Sequence, residues 1–181
     1  MSPKLWQSGS AKLNPLDPVV EGFLASDDLQ WDQILLPYDL LGSAAQARVL
    51  VRAGVLSRSE GHRLVSALSA LRRVWERGGL GLRLSDEDSH TRIEAELTKR
   101  LGALGRKIHT GRSRNDQVLT ALHLYRREAL LDLREGTLAL AAACLSRARA
   151  QASVPMPGYT HMQQAMPSSV GLWMGAWAEA F

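Results

Sequence analysis

The chain has one cysteine, Cys144, among 181 residues, so an internal disulfide is excluded. Its apolar neighbours, Ala141 to Leu145, predict a small buried side chain on a helix. Long apolar runs are also lacking: none approaches the roughly 18 residues that span a bilayer. The first residues after Met1 contain no apolar signal core. We therefore expect a cytoplasmic protein with no membrane partner.

Aromatic residues make up 6% of the chain, and the basic residues behind its net charge of +4 are scattered. Nucleic-acid binding favours a basic stripe with interleaved aromatics, so no nucleic-acid partner is expected. No glycine-rich phosphate loop is present. Asp88, His90 and Glu94 invite comparison with a metal site, but their spacing fits no common ligand pattern. We therefore expect no metal.

No convincing strand pattern is found, whereas helical patterns are frequent. Apolar residues recur every three or four positions over residues 36–56, and Ser57 to Glu60 form a capping box that opens the next helix. The acidic residues 86–88 open a third helix. From Ser113 to Gln151 there is no proline and only one glycine, which predicts one helix of about 55 Å. The predicted class is all-α.

We predict two domains. Residues 1–110 form a mainly helical N-terminal domain with an extended arm at its start, and residues 111–181 form the incomplete beginning of a long central helix bundle. A last helix is predicted to start near Pro167. It carries a large apolar surface that marks an interface, so further chain or other subunits are expected to complete the bundle. That surface comprises Val170, Leu172, Trp173, Met174, Trp177 and Phe181.

A polar run over residues 109–117, His-Thr-Gly-Arg-Ser-Arg-Asn-Asp-Gln, lies where the long helix is predicted to begin. A helix start offers unpaired backbone N–H groups and a positive dipole end. Arg112 and Arg114 could bind carboxylates there, with Ser113 and Asn115 as further hydrogen-bonding groups. Alternatively, Ser113 or Asn115 caps the helix and the arginines are solvated. The residues alone leave both interpretations open.

A second polar cluster, residues 157–163, follows the predicted end of the long helix and reads Pro-Gly-Tyr-Thr-His-Met-Gln. His161 could transfer protons near neutral pH, with Thr160 beside it. A histidine in a loop is equally consistent with a structural or merely exposed role. Together the two clusters suggest an enzyme that acts on a small acidic substrate.

Four segments resemble motifs of the argininosuccinate lyase family. The run at residues 109–118 resembles the family signature, and residues 157–163 resemble its second block. Residues 87–94 resemble its Glu-Asp-x-His and Ile-Glu segment, and residues 38–48 match an early helix. The resemblance extends from Lys4 to Phe181. It implies elimination of fumarate from argininosuccinate to give arginine, the last step of arginine biosynthesis, without a cofactor.

The resemblance also implies roles for individual residues. Ser113, Arg114 and Asn115 match residues that bind the fumarate-side carboxylates and the substrate body. Thr160 matches a substrate-binding threonine, and His161 matches a histidine implicated in proton transfer.

Departures from the family are also present. Ser26 matches a substrate-contacting serine, but its spacing to Asp39 differs slightly. Gln7-Ser8-Gly9 replaces the Gly-Gly-Arg that follows tryptophan in many members. Members are much longer, and their loop with the catalytic serine lies beyond residue 181. We therefore expect the chain to carry the N-terminal half of an active site and to be inactive alone.

Family members are homotetramers whose sites are assembled from three subunits, and a helix of about 55 Å fits that arrangement. Two alternatives remain. The chain could be a non-catalytic or partner-dependent relative, such as a crystallin-like or truncated subunit. It could also be a lyase of the same superfamily with another succinyl substrate.

Overall fold

The computed structural model describes residues 18–83, 86 and 88–181, with side chains from residue 29 onward. The arm predicted at the N-terminus and the side chain of Ser26 lie outside the described residues. Packing divides the chain into two compact units, Met1–Tyr125 and Arg126–Phe181. The domain boundary predicted between residues 110 and 111 stays a prediction.

The first unit is helical. Its elements are α1 (Pro18–Arg52), α2 (Arg58–Glu76), α3 (Ser89–Leu101), α4 (Ala103–Arg106), a 3₁₀ turn (Lys107–His109) and the beginning of α5 (Arg114–Ala150). The all-α class is confirmed. The long helix predicted from Ser113 to Gln151 is also confirmed, and α5 contains 37 residues.

Helix α1 begins earlier than the pattern predicted, and it continues through Pro37. Proline removes one helical hydrogen bond, so the turn before it needs other support. Tertiary contacts supply that support. The Gln33 carboxamide accepts a bond from the Leu82 N–H at 2.9 Å, and the Asp32 carboxylate accepts one from the Ser89 N–H at 3.0 Å. Periodicity alone could not reveal these contacts.

The starts of α2 and α3 are fixed by side-chain caps. The Glu60 N–H donates to Ser57 Oγ at 3.1 Å and the Ser57 N–H donates to Glu60 Oε2 at 2.8 Å, so the predicted capping box is confirmed. At α3 the Asp88 carboxylate accepts a bond from the Thr91 N–H at 2.7 Å. These caps satisfy N–H groups that have no partner within the helix.

Leucines from α1, α2 and α3 form the core of the first unit. The fully or almost fully buried members are Leu36, Leu40, Ala47, Leu50, Leu56, Leu64, Leu68, Leu71, Leu80, Ile93, Leu97 and Ile108. By length and composition alone, Leu29–Arg52 of α1 could cross a membrane. Core helices of soluble proteins pass the same test, and this segment contributes Leu36 and Leu50 to the core.

The second unit contains the rest of α5, a hairpin of β1 (Pro155–Thr160) and β2 (Gln163–Ser169), and α6 (Val170–Ala180). The prediction of no strand was wrong. The segment contains three prolines, which are tolerated in a two-stranded ribbon because both strands are edges. The register shifts between Pro157 and Tyr159.

Few side chains of the second unit are buried. Between residues 126 and 181 only Gly171 reaches full burial, and Cys144 is half-buried rather than buried as predicted. Helix α6 begins at Val170, close to the predicted start, with Ser169 Oγ accepting the Leu172 N–H at 3.0 Å. The exposed apolar side chains include Leu130, Leu133, Leu138, Leu140, Met162, Met166, Leu172, Trp173, Trp177 and Phe181.

Candidate functional site

Ser113 caps the start of α5. The Asn115 N–H donates to Ser113 Oγ at 3.2 Å, and the Ser113 N–H donates to the Asp116 carboxylate at 3.0 Å. The preceding Gly111 has a φ of 69°, which allows the chain to turn into the helix. The capping interpretation is therefore correct for Ser113. Its binding of substrate, and that of Asn115, stay predictions.

The two arginines of this run have different surroundings. Arg112 Nη2 donates to the buried Ser43 Oγ at 3.3 Å and lies 3.2 Å from His109 Nδ1. Arg114 lies at the start of α5, where its Nη2 donates to Thr91 Oγ1 at 2.9 Å and its Nη1 pairs with the Asp88 carboxylate. Its side chain is 36% exposed. Arg112 therefore supports the interior, and Arg114 is oriented by α3 with part of its surface open.

His109 is fixed by its neighbours in one tautomer. The Gln117 amide nitrogen lies 2.7 Å from Nδ1 and Arg112 supplies a second donor, so Nδ1 accepts and the proton is on Nε2. Nε2 lies 3.7 Å from Glu94 Oε2. Burial, and then the positive charge of Arg112, lower the pKa of His109 to about 4. The imidazole is therefore neutral at neutral pH.

Asp39 is a buried carboxyl group on α1. The Ser89 hydroxyl donates to its Oδ2, and His90 Nδ1 lies 3.7 Å from its Oδ1. Burial raises the pKa of Asp39 to about 7, and the negative charge of Asp32 acts in the same direction. Burial lowers the pKa of His90 to about 4, so the contact between Asp39 and His90 is not an ion pair at neutral pH.

These groups form one buried polar cluster, which anchors the 109–117 run to α1 and α3. Its members are Asp39, Ser43, Ser89, His90, His109, Arg112 and Gln117. Sequence reasoning missed the contribution of Asp39 and Ser43. One signal could have revealed it, because the two polar residues are four apart on a helix face that also carries Leu40 and Ala47.

Thr160 and His161 lie at the tip of the β1–β2 hairpin. Thr160 pairs with Gln163, so His161 and Met162 form a two-residue turn, with φ values of 50° and 62°. Both residues therefore occupy the left-handed region, which costs a non-glycine residue about 1–2 kcal/mol. Thr160 and His161 are exposed. Positive φ at both central positions is the type I′ geometry that matches the twist of a hairpin.

Ser113, Arg114 and Asn115 lie close together in the first unit. Thr160 and His161 are neighbours in the second unit. The backbone of Ser26 belongs to α1. Within the described ranges, no group of three or more His, Cys, Asp or Glu side chains is placed to hold a metal ion.

Comparison with known sequences gives one family over most of the chain. A family model described as Lyase matches residues 17–181. The argininosuccinate lyase of Sorangium cellulosum is 49% identical over 179 residues, which cover 99% of this chain and 41% of the relative. That of Stenotrophomonas maltophilia is 43% identical over 181 residues, with 100% and 41% covered. The chain therefore spans about two fifths of the length of these curated relatives.

Solved structures share the fold. An EDDS lyase variant with bound fumarate superposes with a TM-score of 0.69 at 23% identity, covering 92% of this chain and 33% of that one. The β-carboxy-cis,cis-muconate cycloisomerase of Acinetobacter calcoaceticus gives a TM-score of 0.65 at 20% identity, covering 90% and 39%. At these identities the likeness establishes the helical fold alone.

Proposed function

The chain belongs to the lyase family, and from that premise we propose that it forms part of an enzyme that eliminates fumarate from argininosuccinate and releases arginine. The observation that carries the proposal is the start of α5, where Arg114 is held in place beside Ser113 and Asn115. The similarity to argininosuccinate lyases over the whole chain supports the choice of substrate.

In this proposal the start of α5 binds the carboxylates of the succinyl part. The positive end of a long helix favours an anion, and a guanidinium can form paired hydrogen bonds with a carboxylate. Asp88 and Thr91 fix the direction of the Arg114 side chain before substrate arrives. Removal of a proton next to a carboxylate builds negative charge on that group. Donors already in place stabilise this charge without reorganisation.

The hairpin tip supplies the remaining groups of this chain. We assign proton transfer to His161 and a hydrogen bond to substrate to Thr160, because both are exposed on a turn whose backbone conformation is constrained. A positioned acid or base typically contributes a factor of about 10²–10⁴ to the rate.

The active enzyme in this proposal is a cytoplasmic homotetramer of arginine biosynthesis. Helix α5 has 37 residues and is about 55 Å long, so the groups at its start and those that follow its end would serve one site from different chains. The exposed apolar side chains of the second unit are consistent with an oligomer. We expect the 181 residues alone to show no turnover, because Ser113, Asn115, Thr160 and His161 are all open to solvent.

The test is an absorbance assay of fumarate release from argininosuccinate. The chain is assayed alone and then joined to the remaining three fifths of an argininosuccinate lyase. We expect no release from the chain alone and clear release from the joined protein. His161→Asn should lower kcat by about 10²–10⁴. Met162→Leu, at the neighbouring turn position, should leave kcat within about twofold because its fully exposed side chain has no proposed role.

Four results would overturn parts of this proposal. Turnover by the chain alone would refute the requirement for other subunits. Unchanged kcat in His161→Asn would remove His161 from the mechanism. Release of fumarate from another succinylated amine but not from argininosuccinate would favour a lyase of the same superfamily with another succinyl substrate. Release from neither compound would favour a non-catalytic relative.

A further inference from the structure

The end of α1 and the start of α2 enclose a groove of about 450 Å³ within the first unit. Arg48, Arg52, Arg58 and His62 are its exposed lining residues. The half-buried Val51 and Val65 give it an apolar part. None of these residues belongs to the 109–117 run or to the buried polar cluster, so the groove is separate from the site described above.

The groove depends on a close approach of two packed helices. Gly61 of α2 is buried against α1, and a Cβ atom at this position would clash with the Val51 side chain. The two helices can approach this closely only because residue 61 has no side chain. Both helices also contribute several leucines to the core, so the groove is built on a rigid part of the fold.

The positive charges of the groove are placed unfavourably for the isolated chain. Arg48 and Arg52 are four residues apart on α1, and Arg58 lies at the start of α2. Like charges at this spacing lie on one helix face and destabilise the helix. The fold therefore concentrates positive charge in one place, although the basic residues are scattered along the sequence.

Some cationic side chains of this unit have acidic partners, whereas the three arginines of the groove have none in the described part of the chain. Arg72 pairs with Glu76 at 3.1 Å, and Arg92 pairs with Glu96 at 3.4 Å. Among the residues that the structure describes, no ion pair or hydrogen bond is formed by the side chains of the three groove arginines, Arg48, Arg52 and Arg58.

The one carboxylate in the first turn of α2 is committed elsewhere. Glu60 accepts the Ser57 N–H at 2.8 Å and pairs with Lys107 at 3.1 Å. The bond from the Ser57 backbone, followed by that from Lys107, lowers the pKa of Glu60 to about 2. Glu60 therefore remains ionised in its cap and does not neutralise the groove arginines.

We propose that this groove binds a small dianion, either a phosphate ester or a dicarboxylate, with an apolar portion. Planar guanidinium groups form paired hydrogen bonds with phosphate and carboxylate oxygens alike, so the shared chemistry is a compact double negative charge. The valines accept the apolar portion of the ligand. The proposal is independent of the lyase reaction, because it uses no residue assigned to that reaction.

The test is calorimetric titration of the 181-residue chain at low salt with phenyl phosphate, phthalate and pyrophosphate. The first two are dianions that carry a ring and represent the phosphate and carboxylate sources, and the third has no apolar portion. We expect one site per chain for at least one of the ring compounds. Pyrophosphate should bind more weakly than phenyl phosphate if the valines contribute.

The matched variants remove three charges each. Arg48→Ala/Arg52→Ala/Arg58→Ala should weaken binding by at least about tenfold, because each lost guanidinium removes a charge-assisted hydrogen bond. The control Arg73→Ala/Arg100→Ala/Arg127→Ala removes exposed arginines that do not line the groove, and it should keep the affinity within about twofold. Circular dichroism checks folding, and Arg52→Glu alone serves if the triple variant unfolds.

The outcomes decide the proposal. Binding of one ring compound with loss only in the groove variants supports it and identifies the source as phosphate or carboxylate. If neither ring compound binds, the proposal is wrong. It is also wrong if the control triple variant loses as much affinity as the groove variant, because attraction would then depend only on net charge.

Discussion

The two compact units differ in how far they bury their apolar side chains. In the first unit Leu36, Leu64 and Ile93 are fully buried, whereas in the second Leu133 is 65% and Leu138 60% exposed. Both units are rich in leucine and alanine, so composition does not separate them. The first unit therefore has a hydrophobic core of its own, whereas the second presents apolar surface that its own residues do not cover.

The polar segments of the two units also differ in burial, with the more buried segment in the first unit. His109 lies inside a buried cluster with donors from Arg112 and Gln117, whereas His161 lies exposed on a two-residue turn. The first segment is therefore held in place by tertiary contacts. The second is presented to solvent by a local turn.

The largest expected effect concerns the hydrophobic core. Leu64→Ala should lower the free energy of unfolding by about 2–5 kcal/mol, because it removes a fully buried side chain and leaves a cavity. The matched change Leu133→Ala should cost less than about 0.5 kcal/mol, since this leucine is exposed. Urea unfolding followed by circular dichroism measures both, at a concentration where light scattering shows a monomer. Equal costs would contradict the difference between the two units.

A smaller effect, with a definite pH dependence, is expected at Asp39. The pKa of Asp39 is raised in the folded state. The stability that Asp39 contributes is therefore fully present below pH 3.8, its pKa in the unfolded chain, and is lost as the pH rises through about 7. An asparagine side chain at this position would resemble the protonated acid at every pH. Asp39→Asn should therefore gain stability over the wild type by up to about 1.4 kcal/mol per pH unit between pH 4 and 7.

His90 and His109 give an opposite trend in both proteins. Because their pKa values are lowered in the folded state, the stability that these histidines contribute is fully present above pH 6.5, their pKa in the unfolded chain. It is lost as the pH falls through about 4. Stability should therefore rise with pH more steeply in Asp39→Asn than in the wild type over this range. Urea unfolding at pH 5, 6, 7 and 8 gives the difference. A difference that stays constant with pH would show that Asp39 is not buried as described.

The smallest effect is expected at the hairpin tip. Met162 has a φ of 62° and is almost fully exposed, so Met162→Gly removes strain without removing packing. We expect the free energy of unfolding to rise by up to about 1 kcal/mol, because about 1–2 kcal/mol of left-handed strain is relieved and part of it is offset by the greater freedom of glycine in the unfolded chain. The control Met166→Gly lies in β2 and should lower it, because glycine weakens a strand. If both changes destabilise equally, the turn conformation is wrong.

Most helices of this fold could be predicted, because their signals are local. Ser57 and Glu60 form a capping box within four residues, and the proline-free stretch from 113 to 151 is continuous in sequence. The hairpin could not be predicted, since its turn has neither of the usual asparagine and glycine residues and its strands contain prolines. The continuation of α1 through Pro37 is supported by Gln33, whose partner is 49 residues away.

The candidate site could also be predicted only in part from the sequence. The composition of the 109–117 run predicted an anion site at a helix start, and Arg114 lies at that position. The different roles of Arg112 and Arg114 could not be predicted, because they depend on Ser43, Asp88 and Thr91 from other helices. The groove arginines are a similar case, since only the crossing of α1 and α2 brings them together.

The central claim is that the start of α5 and the hairpin tip serve one fumarate-releasing site from different chains. The most direct measurement mixes two inactive variants, Asn115→Ala and His161→Asn, each joined to the remaining part of an argininosuccinate lyase. After unfolding and refolding together, random assembly should restore about a quarter of the sites, because one chain supplies Asn115 and another supplies His161. Fumarate release near that fraction is the predicted result. A mixture as inactive as its two components, although assembled to the size of the unmutated protein, would contradict the account.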